Sequence, residues 1–159
     1  MFIFAPWLFC NHATKVTIYT QIIDKMERQI LLPKAKSRVI KRMFGISDVI
    51  IGRALKYERN SARDQRIREA ALKEGGLIFT GTPAPANFAS DVVTHHDEVN
   101  KTINQSLGDR LQLIISKVDS SAKLLLDGEQ IATFQQVTLS GWGTILYSMQ
   151  QIYNQLLAR

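Results

Sequence analysis

Apolar residues recur along this chain with a helical period at first and with an alternating one later. From residue 34 onward, Ile40 and Phe44 fall on one face of a first short helix. Ile51, Ala54 and Leu55 do so in a second, and Ile67, Ala70 and Ala71 make a narrow inward stripe in a third. Gly45, between the first two, predicts a sharp turn that needs a positive φ, with Ile46 closing the small core. Ser47 suits the N-cap of the second helix, and Ser61 with Asp64 three residues later predicts a capping box on the third. Gly75 and Gly76 read as the stop.

Beyond that stop the pattern weakens and then returns. Residues 77–108 carry "GTPAPANFAS" and a polar run, which predicts a linker with a short helix near Asp97 to Gln105. From residue 109, "RLQLII", "AKLLL" and "EQIATFQQVTL" read as strands, and Asp127-Gly128 is a strong hairpin signal. Ser140 then opens a helix whose Trp142, Ile145, Leu146, Met149, Ile152, Tyr153 and Leu156 share one face. The predicted class is α+β. A helical bundle over 34–76 and a linker over 77–108 precede a module over 109–159, a three-stranded antiparallel meander with one packed helix. So small a module buries little surface, which points to a homodimer assembled through it.

Residues 1–33 form an N-terminal extension in this reading. The apolar stretch "FIFAPWLFC" is too short for a bilayer, which takes about 20 residues, and lacks the basic flank of a secretory signal. No membrane attachment is expected. "MERQILLPK", from Met26, reads as a natural opening, so residues 1–25 are expected to be a mispredicted start or a loosely attached extension. The single cysteine, Cys10, excludes an internal disulfide framework and points to a cytoplasmic setting.

Composition changes this picture mainly through charge. The chain has 159 residues, with 20 Lys and Arg against 14 Asp and Glu, a net charge of +6. Between Lys34 and Lys73 stand twelve basic residues and four acidic ones, a local +8, so the remainder carries −2. A cationic helical segment beside a mildly acidic remainder suits a polyanionic partner.

The stretch "SRVIKRMFGISDVIIGRAL", residues 37–55, resembles the helix-turn-helix of lac-repressor-type regulators. Gly45, Ile46 and Ser47 match the turn, and Ile51 and Ala54 match the inward positions. The span is also similar to the helix-turn-helix of small bacterial proteins in which "FG" and a serine precede "AL" and a basic "RIR" helix. The likeness covers about residues 37–73 and departs at Lys41, where a small residue is usual. It implies a DNA-binding protein whose second helix enters the major groove. Carried over by position, the base-contacting residues would be Ser47, Asp48, Val49, Gly52 and Arg53. Arg53 suits bidentate pairing with guanine, and Asp48 suits either cytosine or the helix dipole. Val49 suits a thymine methyl, and Gly52 close approach. Lys34, Lys36, Arg38, Lys56 and Arg59, at helix edges, would contact phosphates.

Other stretches carry less. Adjacent His95 and His96 in "THHDE" point apart, so a polar loop is expected and no metal. Neither Gly75-Gly76 nor "SGWGT" has the lysine and hydroxyl of a phosphate-cradling loop. No nucleophile, paired carboxylates or activated cysteine stands out, so neither an enzyme nor a cofactor is expected. The expected function is sequence-specific binding of duplex DNA by a small transcriptional regulator, acting by operator occupancy. The alternative is a protein-interaction adaptor or a structural component of a mobile element, with an incidental basic face.

Overall fold

A computed structural model describes residues 26–159. The first strand, β1 (Gln29–Leu31), leads into α1 (Lys34–Phe44), α2 (Asp48–Leu55) and α3 (Ala62–Lys73). Then come β2 (Leu77–Phe79), five further strands and a terminal helix: β3 (Val93–Asp97), β4 (Thr102–Leu107), β5 (Leu111–Ser116), β6 (Ala122–Leu126), β7 (Glu129–Phe134) and α4 (Leu139–Leu157).

The three helices enclose a core of Ile40, Ile46, Ile51, Ala54, Leu55, Ile67 and Ala71, joined by Ile30 from β1. α1 ends at Gly45, whose φ of 60° lets the chain turn at once, and the Gly45 N–H bonds back to the Lys41 carbonyl. Ser47 holds the N-cap position of α2 with extended backbone, though its side chain makes no capping bond. On α3 the expected capping box is complete: the Ser61 hydroxyl accepts from the Asp64 N–H and the Asp64 carboxylate from the Ser61 N–H.

β1 and β2 pair antiparallel, Ile30 opposite Ile78, and so bracket the three helices. Because successive strand residues point to opposite faces, Ile30 joins the helical core while Leu31 joins the second core with Leu77 and Phe79. The ribbon is therefore shared by both halves of the protein.

That second half corrects the expected architecture. β3 to β7 form a five-stranded antiparallel meander, not a three-stranded one. Residues 77–108, expected as a linker with a short helix near Asp97 to Gln105, hold β2, β3 and β4, and Asp97 to Gln105 crosses a hairpin. The alternation of β4 is masked in the sequence because polar residues fill it. Gln105, at a core-facing position, is 5% exposed. Its amide donates to Thr94 Oγ1 at 3.1 Å and accepts from Trp142 Nε1 at 2.7 Å, so a buried polar group is satisfied at both ends. β3 is polar and exposed because it is the sheet edge.

Strands stand where β5, β6 and β7 were expected, although β7 stops at Phe134 instead of running on to Leu139, and Asp127 and Gly128, at φ of 51° and 81°, form the hairpin between Leu126 and Glu129. α4 begins two residues earlier than expected on its N-cap, Thr138, whose hydroxyl accepts from the Gly141 N–H. Ile145, Met149 and Ile152 are fully buried against Leu111, Leu113 and Leu124 of the sheet. Residues 1–25, including Cys10 and the apolar stretch at 2–10, lie outside the described residues. Among the described residues, no helix is long and apolar enough to cross a membrane.

Candidate nucleic acid interface

The helical module separates its residues by face. Ile51, Ala54 and Leu55 of α2 are buried. Ser47, Asp48, Val49 and Arg53 are exposed, and Gly52 is half-buried. Helical spacing puts Val49, Gly52, Arg53 and Lys56 along the side of α2 away from the core. Among the described residues, an added Cβ at Gly52 would meet no atom within 4 Å beyond its chain neighbours and its own helix backbone, so no packing contact there requires glycine.

Asp48 has a partner of its own. Its Oδ2 accepts from Lys41 Nζ at 2.6 Å, tying the end of α1 to the first turn of α2. Lys41 is accommodated by running outward along the surface, with its side chain 47% exposed. Arg53 remains accessible, and its guanidinium lies 3.9 Å from the Glu58 carboxylate.

The five residues expected at phosphates are all exposed, but they do not form one cluster. Lys34 and Arg38 line a cleft of about 380 Å³ between α1 and α2, with Ser37, Lys41 and Asp48. Lys36 stands 3.5 Å from Glu74 in an ion pair. Lys56 lines a different cleft, beside β1 and β7. Arg59 lies in the loop before α3, where its carbonyl accepts from Arg68.

Arg68 plays a part that charge counting obscures. It is 7% exposed and so leaves the cationic surface. Its guanidinium donates to the carbonyls of Ala54 and Arg59 at 3.1 and 3.0 Å and to Asn60 Oδ1 at 2.7 Å. It also lies 4.7 Å from the ring centroid of Tyr57, which Arg28 approaches to 4.9 Å. Arg68 thus holds the α2–α3 loop, where Tyr57 adopts a φ of 58°. The signal was in the spacing: Asp64, Ile67, Arg68 and Ala71 occupy i, i+3, i+4 and i+7, the buried stripe of α3.

The other candidates fall elsewhere. His95 and His96 are successive residues of β3, facing Asn104 and Ile103, and therefore point to opposite sides of the sheet. No known protein family, curated protein or solved structure matches this chain.

Proposed function

We propose that the helical module binds duplex DNA, with α2 in the major groove and the α1–α2 cleft against the backbone. What supports the reading most is the division of α2: a buried Ile51, Ala54 and Leu55 stripe behind an exposed Ser47, Val49, Gly52 and Arg53 surface. The exposed cations of the cleft, Lys34 and Arg38, flank that surface and would supply register without reading sequence. Asp48, already paired with Lys41, orients the two helices, and Arg53 is the principal base reader. The role is regulation by operator occupancy, without a catalytic step. A dimer would set two such helices about 34 Å apart on successive major-groove faces.

Titration of a labelled duplex at several salt concentrations tests this. Binding is expected at low salt and should fall steeply as salt rises, with a log–log slope of about −0.9 per phosphate neutralised. Arg53→Ala should flatten sequence preference, and Arg38→Ala should weaken all duplexes alike. Equal effects would remove Arg53 from base reading.

A second reading, a protein-interaction adaptor, has its own observation. Val39, Met43 and Val49 are apolar and exposed around the same helix pair, the last two at 62% and 63%. An adaptor would show no duplex binding even at low salt.

A further inference from the structure

The two edges of the five-stranded sheet are treated differently. β7, at one end, carries a register shift opposite Leu124 and Leu125 and begins with the charged Glu129. Its outer side faces the β1–β2 ribbon across a cleft lined by Gln29, Leu31, Phe79 and Ile131 to Gln135. A bulge and a charge are devices by which sheet edges avoid pairing with another chain.

β3, at the other end, has no bulge, and its one acidic residue is the terminal Asp97. Its sequence, Val-Thr-His-His-Asp, contains no lysine, arginine or proline. Its register with β4 runs unbroken from Val93 opposite Ser106 to Asp97 opposite Thr102. Val93 to His96 are all exposed, with Val93 at 73%, so no segment among the described residues covers this strand. The one carboxylate, Asp97, is turned to its own loop, accepting from the N–H groups of Val99 and Asn100 at 3.0 and 2.9 Å.

We infer that β3 is a homodimerisation edge, which a second copy of this chain meets antiparallel across a two-fold axis to join two five-stranded sheets into one. Two arguments select a second copy. An antiparallel strand is its own complement under a two-fold rotation, since each unpaired N–H and C=O row meets an identical row reversed. The charge distribution also permits it: the Lys34–Lys73 segment carries +8, whereas β3 bears a single acid. Two cationic molecules approach with least repulsion at such a strand. A five-residue strand is a small interface, so the dimer is expected to be weak and concentration-dependent. The assignment stands on the sheet edge alone and does not rest on the DNA reading.

Sedimentation equilibrium of the full chain without DNA tests it. The wild-type chain should show a reversible monomer–dimer equilibrium. The double variant Val93→Lys with His95→Lys adds two cations to each edge, the substitution that most disfavours strand addition, and should raise the dimer dissociation constant about tenfold or more. Both residues are exposed, and an unchanged far-ultraviolet circular dichroism spectrum and melting curve would show that the variant still folds. A wild-type chain that stays monomeric into the millimolar range would overturn the assignment. So would a dimer equally strong in the lysine variant. DNA titration of the same samples is a separate measurement, so failure of one conclusion is distinguishable from failure of the other.

Discussion

The Glu129 side chain, at the start of β7, accepts a hydrogen bond at 2.9 Å from the backbone N–H of Lys34, at the start of α1. Pro33 holds the N-cap position of α1 and offers no side-chain acceptor, so a residue 95 positions away supplies the cap. The carboxylate also sits at the positive end of the helix dipole. The sheet thereby helps position the helix that presents Lys34 and Arg38.

Replacing that cap should be measurable. Glu129→Ala is expected to lower stability by about 1 kcal/mol, the usual cost of losing an N-cap, and Glu129→Gln by less because it keeps an acceptor. Guanidinium unfolding curves of the three proteins would show the order. If Ala and Gln variants unfold together with the wild type, the contact does not act as a cap.

Arg68 should be far less replaceable than its exposed neighbours. Arg68→Ala removes donors from the buried Ala54 carbonyl and its neighbours, with an expected loss of about 3 kcal/mol. Arg63→Ala, at an exposed position of the same helix, should stay within about 0.5 kcal/mol of wild type. Similar losses in both would contradict a structural role for Arg68.

Gly52 separates folding from binding. Gly52→Ala meets no neighbouring atom, so it should stabilise α2 by about 0.5 to 1 kcal/mol through better helix propensity. If the duplex approaches as closely as proposed, the same methyl should weaken DNA binding severalfold. A variant both more stable and equally tight would exclude close approach at this residue.

Carboxylates in the hairpin loops make stability depend on pH in the acid range. The Ser121 N–H, with the Ser116 and Ser121 hydroxyls, holds the Asp119 carboxyl at about 2, below its ordinary 3.8. The Asn100 N–H and side chain lower Asp97, and the Arg110 guanidinium lowers Asp127. A depressed folded-state value means that the unfolded chain binds more protons between the two values. The stabilisation is therefore present above 3.8 and disappears as pH falls through about 2 for Asp119. Asp119→Asn should be less stable than wild type at neutral pH, and the two should converge near the acid end. Parallel curves across that window would show that Asp119 does not contribute in this way.

Much of this protein was legible as local pattern. The α1–α2 turn at Gly45, the capping box of Ser61 and Asp64, the Asp127-Gly128 hairpin and the apolar face of α4 each rest on neighbouring residues, whose requirements are written in a few positions. The inward and outward sides of α2 follow from the same helical period.

Tertiary structure decided what depends on distant partners. β3 and β4 become strands because β5 offers a ladder to pair with, and Gln105 occupies the core because Trp142 and Thr94 satisfy its amide. Arg68 turns inward because three acceptors converge on it, while Lys34, Lys36 and Lys56, alike as cations in the sequence, are assigned by the fold to a cleft, an ion pair and a second cleft. Local spacing settles a residue's direction along its own element. Which groups lie opposite depends on contacts between elements far apart in the chain.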